Sequence, residues 1–167
     1  AHYMVAEVDV FGKVSVIETG ALDYRQLEPG FFALCARYNF SAVVMDSQPY
    51  VETVYRLQQK CPVLYGSVYV RTRSLEIFKL RDQDEESTRG LLDVRQVNVN
   101  RDYALDALME AVRGEGITIR EDENREKIEK HLRDMKRVKE FGSTGEERFV
   151  WKKSDKGEDH FHHALLY

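Results

Sequence analysis

Residues 41–70, SAVVMDSQPYVETVYRLQQKCPVLYGSVYV, decide how this chain is read. Ser41-Ala42-Val43-Val44-Met45 is a short continuous apolar run closed by Asp46, the pattern of a central strand buried on both faces. Ser47 is placed to cap the following helix, and Pro49 suits that helix's first turn. Val51, Val54, Tyr55 and Gln58 recur at helical spacing until Cys61-Pro62 stops them, and 63–70 (VLYGSVYV) is again a strand.

Upstream, 3–10 (YMVAEVDV) and 14–19 (VSVIET) are rich in β-branched and aromatic residues. Phe11-Gly12-Lys13 between them predicts an antiparallel hairpin. From Asp23 to Asn39 the spacing turns helical, with Leu27, Phe31, Leu34, Cys35 and Tyr38 on one side; Pro29-Gly30 either bends this helix or marks its first turn. Hairpin, helix, strand, helix, strand is an α/β arrangement with a mixed sheet. Downstream, 79–93 read as a charged loop, 94–99 as an edge strand, and Asn100 as the cap of a helix carrying Leu105, Leu108, Ala111 and Val112 that Gly114 and Gly116 end. Residues 117–119 predict a short strand. Residues 123–140 predict one charged helix with the stripe Ile128, Leu132, Met135 and Val138, its Glu/Lys/Arg ladder a solvated face. Residues 148–151 predict a strand able to pair with 117–119, and a last helix starts near Asp159. The whole, 1–167, reads as one domain.

With 25 basic against 29 acidic residues the net charge is −4, which excludes a strongly basic protein that coats nucleic acid but leaves room for a local basic patch. At 43% hydrophobic and 32% charged the composition is globular, and no apolar run approaches the roughly 20 residues of a membrane span. Cys35 and Cys61 lie in amphipathic segments and read as two free thiols in a reducing compartment.

Two carboxylates stand out by position. Asp46 ends an apolar strand, so it emerges at the carboxyl end of the sheet, where α/β proteins place ligands, or caps the helix behind it. Asp159 begins the last helix, as a cap or as a functional group. Carboxylates converging on one spot repel and demand a cation, and hard oxygen donors favour Mg²⁺ or Mn²⁺ over zinc. Such a site can hold two ions about 4 Å apart for phosphodiester hydrolysis. No GxxxxGK[ST] phosphate loop is present.

The runs SAVVMDSQPYVETVYRLQQKCPV, VNVNRDYALDALMEAVRGEGITI, ERFVWKKS and the closing EDHFHHALLY, in that order, resemble the C-terminal nuclease domain of the large terminase subunit of tailed bacteriophages. The most specific parts are the closing Asp-His-x-x-His-Ala-Leu-x-Tyr and the VVMD strand. The resemblance implies an RNase H-like mixed central sheet flanked by helices, with a small auxiliary β-hairpin near the C-terminal part. It also implies endonucleolytic cleavage of double-stranded DNA, dependent on Mg²⁺ or Mn²⁺, as concatemeric genomes are packaged. Implied partners are double-stranded DNA, an ATPase domain of the same polypeptide, the small terminase subunit and the portal protein, in the cytoplasm of an infected bacterial host and with no membrane.

Site residues follow from the same likeness. Asp46 matches the family's second acidic ligand and Asp159 the third. Many relatives carry an aspartate where this chain has His163, so Asp159 and His163, four apart on one helix face, form a pair, with His160 auxiliary. The first ligand falls on Asp9, which lacks the family's preceding glycine, on Glu7, or on a strand upstream of residue 1, with 3–19 then the second and third strands of the sheet. Arg71, Arg73, Lys152, Lys153 and Lys156 are candidate phosphate contacts. A junction resolvase or ribonuclease, and an inactive module docking DNA or portal protein, are the alternative readings.

Overall fold

In the computed structural model, residues 1–48, 51–70, 76–80, 95–122, 124–141, 145–154 and 164–165 are described. Their elements run β1 (His2–Val8), β2 (Val14–Ala21), α1 (Leu27–Arg37), β3 (Val43–Asp46), α2 (Val51–Gln58), β4 (Leu64–Val70), β5 (Phe78–Leu80), β6 (Gln96–Asn100), α3 (Arg101–Arg113), β7 (Ile117–Ile119), α4 (Arg125–Arg133), β8 (Met135–Phe141) and β9 (Glu147–Lys153). This is a mixed α/β fold with three sheets and four helices among the described residues. Two compact units form, one from Arg25–Ala104 and one from Ala1–Tyr24 with Leu105–Tyr167.

In the Arg25–Ala104 unit the sheet order is β3-β4-β6-β5, with β3, β4 and β6 parallel and β5 antiparallel to β6. The apolar run at 43–46 is therefore an outer strand of this sheet, half-buried, and not the central strand its composition predicts. β4 takes the inner place, with Leu64, Gly66 and Ser67 buried. The stretch expected at an edge, β6, is inner too, because Phe78–Leu80, of which 79–80 fall in the stretch read as loop, adds a strand outside it. Helix α1 starts at Leu27 after a 3₁₀ turn at Tyr24–Gln26, so Pro29 falls in the first turn, where its missing N–H costs nothing. Phe31, Leu57, Cys61 and Leu64 form the buried cluster, with Phe32, Cys35, Val43, Met45 and Val63 packed against it. Burial, reinforced by the neighbouring Cys61 thiol, pushes the Cys35 thiol up to about 11.

Gln58, at the end of α2, is buried and works as a backbone clasp. Its Nε2 donates to the carbonyls of Leu64 (3.1 Å) and Arg95 (2.8 Å), while its Oε1 accepts the Arg95 N–H (3.1 Å). Arg95 answers through Nη2, donating to the carbonyls of Gln58 (3.2 Å) and Cys61 (3.0 Å), so a cation meets the negative end of α2.

In the other unit β1 and β2 form the expected antiparallel hairpin, turning through Gly12 at φ +80°. β7 pairs parallel to β2, not with 148–151. The largest departure is at 123–140: the helix stops at Arg133 and 135–141 become a strand paired with β9 from Met135↔Lys153 to Phe141↔Glu147. Helix propensity in a Lys/Glu/Arg run is a weak preference, and a full cross-strand ladder overrides it. The remaining charged side of α4 carries the solvated i,i+4 chain expected of it, Arg125 to Glu121 and Glu129, and Glu129 to Arg133.

Asp106 on α3 ties down the new hairpin. Its Oδ1 accepts the Trp151 indole N–H (2.9 Å) and its Oδ2 accepts Arg137 Nη2 (3.0 Å). Trp151 is buried, and it is the only tryptophan. Asp106→Ala is expected to lower stability by about 2 kcal/mol, since an indole N–H is left without its acceptor. Intrinsic fluorescence during urea titration reads this directly; a variant with the parental midpoint and emission maximum would refute the tie.

Helix α3 ends in a Schellman arrangement, with Gly116 N–H donating to the Ala111 carbonyl (2.8 Å). The left-handed residue is not one of the two glycines but Glu115, at φ +57°. Glu115→Gly is therefore expected to raise stability by about 0.5–1 kcal/mol in thermal melts. A lower melting temperature would contradict that assignment of strain.

Candidate functional site

The parallel order of β3, β4 and β6 gathers their carboxyl ends at one edge of the sheet. Asp46 ends β3, opposite Ser67, and is exposed. One carboxylate oxygen, Oδ1, accepts the Gln48 N–H (2.9 Å), turning the chain out of the strand. Ser47 continues the ladder through its N–H to the Ser67 carbonyl (3.1 Å). The expected cap at Ser47 is not made with any described residue: its hydroxyl is fully buried and without a hydrogen-bond partner among them. It is Asp46, one residue earlier, that holds a following N–H.

At the same edge β6 ends in Asn100, opposite Val70, and α3 begins with Arg101 and Asp102. Asp102 was not singled out from sequence. The signal available was the alternating Gln96–Asn100 run, which places the residues after it at a strand end just as Val43–Met45 does for Asp46.

Asp9 is placed differently. It lies past the end of β1, where its Oδ1 accepts the N–H groups of both Phe11 (2.9 Å) and Lys13 (2.9 Å) and shapes the β1–β2 turn. Glu7 lies within β1, exposed, opposite Ser15. Both belong to the unit that does not contain Asp46. Lys152 and Lys153 lie on β9, exposed, with Lys152 paired to Glu140. The Lys152 ammonium, helped by Arg148, holds the Glu140 carboxyl below the usual carboxylate range. Asp159, His160, His163, Arg71, Arg73 and Lys156 lie outside the described residues.

Asp46 is a hard oxygen donor with one oxygen outside the Gln48 contact, which fits Mg²⁺ or Mn²⁺. Asp9 likewise accepts through Oδ1, there from two backbone N–H groups that tie it to the β1–β2 turn. Among the described residues no group of three or more His, Cys, Asp or Glu side chains is arranged to hold a metal ion. No described helix is long and apolar enough to cross a membrane. Set against family models, curated proteins and solved structures, the chain matches none.

Proposed function

We propose that this chain is a divalent-metal-dependent endonuclease, RNase H-like in arrangement, that cuts double-stranded DNA while a viral genome is packaged. The observation that carries this reading is Asp46, an exposed carboxylate at the carboxyl end of a parallel strand and inside the terminase-like VVMD run. Asp46 and Asp159 supply the second and third acidic ligands, and the first comes from Asp9, Glu7 or a residue upstream of residue 1. Mg²⁺ or Mn²⁺ bound there, in a two-ion site, supplies activation of water and stabilisation of the leaving oxygen. Asp46 contributes a hard oxygen whose carboxylate is oriented by the Gln48 N–H; His163 and His160 are auxiliary residues of this reading. Arg71, Arg73, Lys152 and Lys153 neutralise phosphates. The ATPase domain of the same polypeptide, the small terminase subunit and the portal protein are the partners of this role, in the host cytoplasm.

The test is supercoiled plasmid incubated in millimolar Mn²⁺ or Mg²⁺, for the parent and Asp159→Asn. Open-circular and linear products that need metal, vanish with excess EDTA and are lost in the variant support the reading. A parent chain that binds plasmid yet leaves it supercoiled in both metals overturns it.

A further inference from the structure

The hairpin β8–β9 is basic and presents exposed aromatic rings. Over 135–153 it carries six cations (Lys136, Arg137, Lys139, Arg148, Lys152 and Lys153) against three carboxylates, a net of +3 in a chain whose net is −4. Pairing across the two strands puts Arg137, Lys139, Phe141 and Phe149 on one face, since Lys139 lies opposite Phe149 and Phe141 opposite Glu147. The part of this face near Trp151 is tied to α3 through Asp106. The distal part is not covered: Phe141 is 67% exposed and Phe149 56%. Each ring lies under a cation, Arg137 over Phe149 at 5.1 Å and Lys139 over Phe141 at 5.8 Å. On the opposite face Lys136 lies directly across from Lys152, whose ammonium is paired to Glu140, so that face is already partly neutralised.

Two outward aromatic rings, diagonal neighbours on a ribbon with excess positive charge, match one ligand chemistry. Phosphates answer the cations, and unpaired bases answer the rings, because every base has a face to stack. A duplex hides those faces and gives the rings nothing. An acidic protein answers the charge alone.

We infer that the β8–β9 hairpin binds single-stranded nucleic acid, with Phe141 and Phe149 stacking on unpaired bases and Lys139 and Lys153, on the same face as the rings, meeting the backbone. This surface goes beyond the nuclease reading and stands on its own observations, since neither Asp46 nor a metal takes part; Lys153 is the one residue common to both.

The experiment is fluorescence anisotropy of the whole chain with a labelled oligothymidylate of about 15 nucleotides, beside a duplex of equal length, in EDTA so that no cleavage intervenes. The parent is expected to bind the single strand more tightly than the duplex. Phe141→Ala/Phe149→Ala is expected to weaken single-strand binding at least about tenfold with an unchanged salt slope. Lys139→Ala/Lys153→Ala is expected to make the slope of log K against log salt shallower, by about 0.7 for each phosphate that is no longer neutralised. Phe141→Trp/Phe149→Trp keeps flat rings and is expected to retain affinity, and this separates stacking from a folding defect, as does parental Trp151 emission in every phenylalanine-to-alanine variant. Oligothymidylate binding unaffected by loss of both rings overturns the inference. So does preference for the duplex, or no binding to the oligonucleotide at low salt. Failure of plasmid cleavage leaves these outcomes untouched, and failure of oligonucleotide binding leaves the cleavage test untouched.

Discussion

Asp46→Asn is expected to cut metal-dependent DNA cleavage at least about a hundredfold, equivalent to roughly 2.7 kcal/mol of barrier, while leaving the melting temperature within a degree or two of the parent. The two halves of this expectation have separate physical causes. The structural task of Asp46 is to accept the Gln48 N–H at 2.9 Å through Oδ1, and an asparagine carbonyl oxygen does this equally well. The side chain is exposed, so no buried charge is gained or lost. What asparagine lacks is the anionic oxygen that a hard divalent cation requires. Plasmid nicking rates and thermal melts measured together give the answer. Full cutting by the variant would remove Asp46 from the site, whereas lost cutting with a lowered melting temperature would make it a structural residue only.

Gln58→Ala is expected to cost about 3 kcal/mol of stability, the largest effect of any single substitution away from Asp46. Three side-chain hydrogen bonds disappear together, two from Nε2 to the Leu64 and Arg95 carbonyls and one from the Arg95 N–H to Oε1. Each is worth about 1 kcal/mol net, and a buried group left unsatisfied costs more. Gln58→Glu is a sharper version, because a carboxylate keeps the Arg95 N–H but turns the two carbonyl contacts repulsive. Urea midpoints for parent and both variants decide the matter. A shift in Gln58→Ala worth less than about 0.5 kcal/mol, the ordinary scatter of surface substitutions, would show that the clasp contributes little.

Much of the local structure was legible in the chain. The β1–β2 hairpin follows from alternation on either side of a Gly-containing turn, α1 from apolar spacing within 23–39, though it is shorter at both ends, and α2 and α3 from apolar spacing with stops at Cys61-Pro62 and the glycines after Arg113. The position of Asp46 at the end of a strand was legible for the same reason, since four apolar residues and a carboxylate are neighbours in sequence. Ser47 was harder: its identity suits a cap, yet Asp46 competes for the following N–H groups and takes the Gln48 bond. Glu115 shows the same limit, because two glycines flank the one position that adopts the left-handed conformation.

Sequence by itself determined the α/β class, the run of elements from β1 to β4, the placement of Asp46 and the charge excess at 135–153. These depend on periodicity, turn chemistry and composition, whose energies arise among residues a few positions apart. Tertiary structure alone decided that β3 is an outer strand and β6 an inner one, that β7 joins β2, that 135–141 is a strand, and that Gln58 clasps Arg95. Each of these depends on a partner well separated along the chain, and the free energy of that pairing is present in neither segment taken alone.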